Sequence, residues 1–235
     1  MIKRGLPKLP LGLQVPVGRH LFSLSFRKPN LTDANPNILH TVRADWFGGV
    51  EEDAALLGDC RKRWFQSGQS RDEEIRQQFA ELPEQFQGMA PGAFSEAGML
   101  LGAVLVLDQF PRHLFRGMGR AFAYDASARQ LTHHALAQGW ERKLREIEGL
   151  FLLMPLQHSE TLEEQKLSVQ AANELLMRSR PGYREMLEQS VESAEKHRDI
   201  IVQFGRFPHR NQALERKSTE AETEWLKAGG MRFGQ

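Results

Sequence analysis

The stretch Tyr183–Gly205, YREMLEQSVESAEKHRDIIVQFG, decides the fold class. Its apolar residues recur at spacings of three, four and seven: Tyr183, Leu187, Val191, Ala194, Ile201 and Phe204. Such spacings place the apolar side chains on one face of an α-helix. Gly205 directly follows Phe204 and is a typical C-terminal stop. The stretch therefore predicts one long amphipathic helix that packs against other elements along one face.

Helix signals recur on both sides of this stretch, and strand signals do not. Three capping boxes predict helix starts: Ser70 with Glu73, Thr161 with Glu164, and Thr219 with Glu222. Gly48-Gly49 and Gly139 predict helix ends, and Asp125 is placed to cap the segment that reaches Gln138. The chain is therefore predicted to be all-α, with antiparallel helical hairpins stacked as a tetratricopeptide-like superhelix or a bundle.

Two prolines predict further helix ends. The apolar helix that begins near Met99 is predicted to end before Pro111, and the helix that carries Met154 is predicted to stop at Pro155. Proline lacks the backbone N–H and its ring collides with the preceding turn, so a simple continuation is excluded. Arg112 would then lie beside the free carbonyls of the first helix end.

Composition excludes several classes of partner. At 235 residues with 40% hydrophobic content, the chain can bury a sizeable core. A net charge of +1 gives no global basic field for nucleic acid or an anionic membrane. Cys60 is the single cysteine, which excludes an internal disulfide framework. The longest nearly unbroken apolar run, Met99–Leu107, is far shorter than the roughly 20 residues of a membrane helix. We expect no nucleic acid, no membrane and a cytoplasmic location.

The first 34 residues differ from the rest. No acidic residue precedes Asp33, while basic residues and prolines are scattered through this part. We predict a basic, disordered extension over 1–34 and a single all-α domain over 35–235. A mitochondrial transit segment over 1–32 is the alternative interpretation of the extension.

Three polar clusters interrupt the helical pattern. The first, Asp108-Gln-Phe-Pro-Arg-His113, contributes candidate ligand-binding residues Asp108, Gln109, Arg112 and Arg116. An Asp–Arg pair in it either neutralises a buried charge or orients a ligand. The second is Gln157-His-Ser-Glu160, in which His158 is a candidate general base and Glu160 its orienting group or an acid. Helix capping is the structural alternative for Glu160.

The third cluster is Phe204-Gly-Arg-Phe-Pro-His-Arg-Asn211. Its two arginines, Arg206 and Arg210, offer bidentate donors to a carboxylate or phosphate, with Asn211 as a further ligand-binding candidate. His209 is a candidate catalytic acid or base. Bonds from both arginines to helix ends and carboxylates within the fold are the alternative.

His197 lies on the apolar face of the predicted long helix and therefore needs a buried partner. It is a candidate ligand-binding residue or a core histidine with a structural bond. No short metal-binding signature accompanies the histidines, so no metal site is predicted, and the cofactor is unknown.

The motifs, taken together, resemble the helical family catalogued as the domain of unknown function numbered nine hundred and twenty-four. The stretches that carry the resemblance are Leu107–Arg112, Phe115–Gly117, Ala121–Asp125, Phe151–Glu160, His197–Ile201, Phe204–Asn211 and Arg216–Thr219. It extends from about residue 38 to the C-terminus. It implies a tetratricopeptide-like all-α superhelix, found mostly in bacteria, and no established activity. The chain departs from the family pattern at three positions. His113 stands where the family usually has asparagine, Gln157 where an apolar residue is common, and Glu215 where glycine is usual.

Two functional hypotheses follow. The first is a site for a small anionic ligand where the three clusters converge; in its enzymatic form, His158 or His209 acts as acid or base. The second is a scaffold that binds a peptide or protein, in which the same motifs only fix helix crossings. A homodimer that uses the same surface is a third interpretation.

Overall fold

The structure is a computed structural model that describes residues 37–66 and 68–233. The described residues belong to one compact unit, and the predicted basic extension over 1–34 lies outside them. Within the described residues the chain is all-α and contains no strand, as predicted. None of these helices is long and apolar enough to cross a bilayer. A tetratricopeptide-like superhelix stays a prediction.

Eleven α-helices occur in the described part of the chain. Their bounds are α1 Asn37–Phe47, α2 Leu57–Phe65, α3 Gly68–Phe79, α4 Leu82–Phe86, α5 Ala97–Val104, α6 Phe110–Leu114, α7 Asp125–Ala137, α8 Glu146–Gln157, α9 Leu162–Met177, α10 Arg184–Phe204 and α11 Glu220–Lys227. Helix α9 packs against both α8 and α10, and α5 packs against α1, α7 and α8. The predicted long helix is α10, and Gly205 ends it in a left-handed conformation, with φ at 68°.

An apolar core joins α1, α5, α6 and α8 beneath the site described below. Four aromatic rings meet in it, with centroids 5.5–5.9 Å apart in three of their pairs, Trp46–Phe110, Trp46–Phe151 and Phe47–Phe151. All four side chains are fully buried. Two of these pairs are edge-on and Trp46–Phe110 is tilted, and edge-on aromatic packing stabilises beyond the area that it buries. The core therefore gives the surrounding polar side chains a rigid support.

The capping predictions are confirmed in part. Thr219 and Glu222 form the predicted reciprocal capping box at the start of α11. Thr161 is the N-cap residue of α9. Ser70 lies inside α3, so the predicted helix start there is wrong. Asp125 is the first residue of α7 rather than its cap, because its carboxylate binds two arginines instead.

Pro111 does not end the apolar helix, contrary to the prediction. The chain continues from α5 through a π-helical segment, Leu105–Gln109, directly into α6. The N–H of Phe110 donates to the carbonyl of Leu105, five residues earlier. This wider turn leaves room for the Pro111 ring, which would collide with a carbonyl in a regular helix. The same turn directs Asp108 into the protein interior.

Pro155 does not end α8 either. The helix runs two residues further, to Gln157, and His158 caps it with an N–H bond to the carbonyl of Met154. Pro155 is buried inside this helix. The predicted helix end therefore lies two residues too early. The helix continues past Pro155 because packing of its apolar side chains compensates for the loss of one backbone hydrogen bond.

Gly102 sets the approach of α5 to α1. A Cβ atom at this position would lie 2.6 Å from the carbonyl oxygen of Leu39 and 2.9 Å from its Cβ. We expect Gly102→Ala to lower the free energy of unfolding by about 1–3 kcal/mol, because the backbone of α1 must move. Urea denaturation measures it.

Gly58 is the matched control for that substitution. It also lies in a helix, and a Cβ there would meet no atom within 4 Å. Gly58→Ala is expected to stabilise the protein by about 0.5 kcal/mol through the unfolded chain. Equal losses in both variants would show that the distance between α1 and α5 is not limited by Gly102.

Candidate functional site

A pocket of about 490 Å³ lies where the three polar clusters meet. Its volume falls in the range typical of small-molecule sites. Four arginines line it, Arg61, Arg112, Arg116 and Arg210. Four histidines line it as well, His113, His158, His197 and His209. Among the described residues no carboxylate belongs to the lining, and the aromatic part is Trp64, Phe65, Phe122 and Phe233.

Asp108 lies behind the pocket wall and is completely buried. Its carboxylate accepts hydrogen bonds from Gln109 Nε2 at 2.6 Å and from His158 Nδ1 at 2.7 Å, and Arg112 lies 3.6 Å away. Burial would raise the pKa of Asp108, but Arg112 and His158 hold it well below its ordinary value. Asp108 is therefore ionised and holds the side chains of three pocket residues in place. Its pairing with Arg112 agrees with the Asp–Arg pair that the sequence predicted.

Asp125 is the second carboxylate behind the wall. Arg112 donates to both of its oxygens, at 3.0 and 3.2 Å, and Arg210 Nη1 lies 3.5 Å from one of them. Arg112 also donates to the backbone carbonyl of Asp108 at 2.5 Å. Two guanidinium groups thus share Asp125, and Arg112 forms the shorter, bidentate pair of hydrogen bonds with it. Arg210 is left with a weaker share of negative charge.

The Arg210 guanidinium is held between two aromatic rings. Its central carbon lies 4.6 Å from the centroid of Phe122 and 4.6 Å from that of Phe207. Arg210 is only 6% exposed, and its Nε is buried without a partner. Burial lowers the pKa of Arg210 to about 10, against the attraction of Asp125 and of the more distant Glu160 and Asp108. Arg210 therefore stays charged at neutral pH and lacks full compensation within the described residues.

His158 is oriented by Asp108 and faces the pocket. Because Nδ1 binds the carboxylate, the neutral ring carries its proton on Nδ1 and a lone pair on Nε2. Burial and the charge of Arg112 lower the pKa of His158, against the pull of Asp108. A neutral imidazole held in one tautomer by a carboxylate is the arrangement of a general base.

A second carboxylate–histidine pair faces the same pocket. His113 Nδ1 lies 2.7 Å from an oxygen of Asp72, and Arg116 donates to both oxygens of that carboxylate, at 2.9 and 3.0 Å. Burial lowers the pKa of His113, so the ring is neutral at pH 7. The set Asp72, His113 and Arg116 repeats the set Asp108, His158 and Arg112 in chemistry.

His197 and His209 complete the histidine wall. His197 Nδ1 donates to the carbonyl of Ser193 at 2.7 Å, and the ring stacks on Phe233 with centroids 3.7 Å apart. The Nδ1 of His209 is buried without a partner. Burial lowers the pKa of both histidines to about 3, with Arg210 the next cause for His209. Both rings are therefore neutral at physiological pH.

Besides Asp108, three candidates from the sequence do not line the pocket. Glu160 accepts a bidentate pair from Arg216 at 2.6 and 2.9 Å and a bond from the backbone N–H of Phe207, so it holds the turn of the third cluster. Arg206 pairs with buried Glu222 at 2.6 and 2.8 Å. Asn211 bonds Glu222 from a buried position. These contacts fit a structural role for Glu160, Arg206 and Asn211, and we exclude the three residues from the candidate site.

Sequence reasoning missed the two supporting carboxylates Asp72 and Asp125. Asp125 belongs to a quoted motif, so a signal existed, although the capping pattern suggested another role. Asp72 stands in a charged run without periodic or motif signal. Phe122 and Phe233, which contact Arg210 and His197, were likewise not selected. Their roles depend on side chains brought together from distant segments.

No group of three or more histidine, cysteine, aspartate or glutamate side chains in the described ranges is arranged to hold a metal ion. The prediction of a site without metal stays a prediction.

His197 makes the stability of the protein sensitive to acid. Its pKa is about 3 in the folded protein, against about 6.5 in the unfolded chain. Between these values the unfolded state binds one more proton, so the free energy of unfolding falls as pH falls. The slope is at most about 1.4 kcal/mol per pH unit for this one group. His197→Asn keeps a donor for Ser193 and does not titrate, and it should flatten the slope between about pH 6 and pH 4.

Urea denaturation at several pH values measures that slope, with His40→Asn as the control. His40 lies on α1 with its side chain 46% exposed. The control should keep the slope of the parent protein, and an unchanged slope in His197→Asn would contradict the assignment.

Comparisons with known proteins give a family and a fold without an activity. The family described as "Bacterial protein of unknown function (DUF924)" matches residues 42–230. The chain is similar to a solved structure of a protein of unknown function from Agrobacterium tumefaciens, with a TM-score of 0.65 and 26% sequence identity. That likeness covers 83% of this chain and 100% of the other. No curated protein matches the chain.

Proposed function

Because this chain belongs to the DUF924 family of bacterial proteins of unknown function, as its motifs predicted, we propose a function from its geometry alone. The protein binds a small organic anion in the pocket, in the cytoplasm, and His158 moves a proton to or from that anion. The observation that carries the proposal is Arg210, a buried guanidinium with incomplete compensation in a pocket whose described lining holds no carboxylate.

The charge balance supports an anion. Arg210 has a single contact of 3.5 Å to a carboxylate that Arg112 already binds in bidentate fashion. A ligand carboxylate or phosphate that reached Nη2 of Arg210, which forms no hydrogen bond to a described residue, would supply further negative charge in a low-dielectric site. Arg61 lies at the pocket lining with no partner among the described residues and adds a further cation. A cationic ligand would meet no opposite charge there.

The orientation of His158 supports proton transfer. Its Nε2 forms no hydrogen bond to a described residue, while Nδ1 is held by Asp108. The side chain is 16% exposed, which leaves the ring accessible from the pocket. When Nε2 takes a proton from the bound molecule, the imidazolium forms beside a buried carboxylate that stabilises it. His209, the second candidate of the sequence, lacks such a carboxylate.

Matched ligands test the anion proposal. The full-length protein is titrated by calorimetry with cyclohexanecarboxylate, cyclohexyl phosphate and their neutral counterpart cyclohexanol, and its melting temperature is recorded with each. At a hundredfold excess over the dissociation constant, a ligand adds about 2.7 kcal/mol to stability. We expect a shift with an anion and none with the alcohol. Equal binding of the alcohol would contradict the proposal.

The His158→Asn variant separates binding from proton transfer. Asparagine keeps a donor for Asp108 and removes the lone pair at the Nε2 position, so anion binding should persist. An anion bound near His158 favours the imidazolium, so binding to the parent protein should be accompanied by proton uptake from the buffer at mildly acidic pH, which the variant lacks. Calorimetry in buffers of different ionisation enthalpy measures that uptake. If no anion binds while a protein partner is captured at one-to-one stoichiometry, the scaffold hypothesis replaces this one.

A further inference from the structure

Three histidines of the pocket present the same atom to it. His113, His158 and His197 each engage Nδ1 with an acceptor of the protein, Asp72, Asp108 and the carbonyl of Ser193 respectively. A backbone carbonyl or an ionised carboxylate only accepts, so each Nδ1 carries the proton. In a neutral ring Nε2 is then a hydrogen-bond acceptor. None of the three Nε2 atoms has a partner among the described residues.

The wall of the pocket is therefore unusual in its hydrogen bonding. Arginines supply donors for one end of a ligand, while three imidazoles supply acceptors elsewhere. The rings of His158 and His197 have centroids 6.3 Å apart, and His113 lies on another helix, α6. A ligand that fills the pocket removes these acceptors from water, and an acceptor that is desolvated without a partner is costly, so a ligand that binds well must carry donors opposite them.

We infer that the ligand is a carboxylate with several hydroxyl groups, its carboxylate on Arg210 and its hydroxyls donating to Nε2 of His113, His158 and His197. This inference rests on the proposed function. Hydroxyl donors fit better than ammonium donors, because no carboxylate of the described residues lines the pocket to balance a second cation. A simple fatty or aromatic acid would leave the three acceptors unpaired.

The hydroxyl requirement is tested with ligand pairs that share charge and size. Quinate is compared with cyclohexanecarboxylate, and gluconate with hexanoate, by calorimetry on the full-length protein. We expect the hydroxylated member to bind at least tenfold more tightly, which corresponds to about 1.4 kcal/mol. If the deoxygenated acids bind equally well, the hydroxyl inference fails while the anion proposal stands. If sorbitol binds and no acid does, the anion proposal fails.

Variants of His113 connect the effect to a named atom. His113→Asn keeps a donor for Asp72 and removes Nε2, so it should reduce the affinity for the hydroxylated acid and leave that for its deoxygenated partner unchanged. His133→Asn, on the exposed side of α7 and outside the pocket lining, is the control. A loss of both affinities in His113→Asn would show a structural role only and contradict the inference.

A measurement without any ligand tests the tautomers themselves. Nitrogen NMR of histidine-labelled protein distinguishes a protonated from an unprotonated ring nitrogen, and the variants assign the signals. At pH 7 we expect Nδ1 to be protonated and Nε2 unprotonated in His113, His158 and His197. A proton on Nε2 in two of the three rings would overturn the inference, and so would stabilisation by zinc with no response to any hydroxylated acid.

Discussion

Asp108→Ala should lower the free energy of unfolding by about 3–5 kcal/mol. The carboxylate is completely buried and binds three groups, His158, Gln109 and Arg112. Its removal leaves the amide of Gln109 with only a sulfur contact to Met154 and deprives Arg112 of one of two carboxylates. Each of these groups is too buried for water to replace the lost bond in full.

The comparison with Asp108→Asn separates charge from shape. The amide oxygen can still accept from His158, but the amide nitrogen cannot accept from Gln109, so we expect a smaller loss than for alanine. Urea denaturation at pH 7 measures both. Asp199→Ala is the control, since Asp199 pairs with Arg198 on the surface with its side chain 65% exposed, and it should change stability by less than about 0.5 kcal/mol.

A double-mutant cycle shows how much of the loss passes through His158. Asp108→Ala and His158→Ala together should cost less than the sum of the single losses, because each single variant removes the same hydrogen bond and leaves the other member of the pair unsatisfied. The pH dependence has a defined sign: the pKa of Asp108 is lowered in the folded state, so its stabilisation is present above its ordinary pKa of about 4 and is lost as pH falls below it. Additive losses and a pH-independent effect would contradict a buried ionised carboxylate.

The fold class could be predicted because its signals are local. The apolar spacing of α10, the stop at Gly205 and the capping box of Thr219 with Glu222 each depend on residues within one or two turns. The two prolines were misjudged for the opposite reason. Whether Pro111 ends a helix depends on the turn before it, and a π-helical turn has no simple sequence signature.

The types of residue in the site could be predicted from the sequence. Which of the candidate residues line the pocket and which only support the fold could be predicted less well. His158, His209, Arg112 and Arg210 were selected from clusters, and the structure brings them to one pocket. Arg206 and Arg210 are equivalent in the sequence, four residues apart. Only the positions of Glu222 and Asp125 in space separate them, because Arg206 has a carboxylate of its own and Arg210 shares one.

Arg210→Met should abolish anion binding without loss of stability. Methionine fills the space between Phe122 and Phe207, while Asp125 keeps its bidentate bond to Arg112. The variant loses cation–π contacts and removes an incompletely compensated buried charge, so the free energy of unfolding should change by less than about 1 kcal/mol. Affinity for the best-binding acid of the panel should fall at least hundredfold, about 2.7 kcal/mol.

Arg206→Met is the matched control and should behave in the opposite way. Its removal leaves Glu222, which is 2% exposed, without its strongest partner, so stability should fall by about 1.5–3 kcal/mol while affinity for the acid stays within twofold. Calorimetry and urea denaturation on the same two proteins measure both quantities. If Arg210→Met unfolds the protein and Arg206→Met loses the ligand, the anion site belongs to Arg206. We therefore expect Arg210→Met to lose affinity and Arg206→Met to lose stability. A ligand-binding arginine lacks full charge compensation until the ligand binds, whereas a structural arginine has a carboxylate partner within the fold.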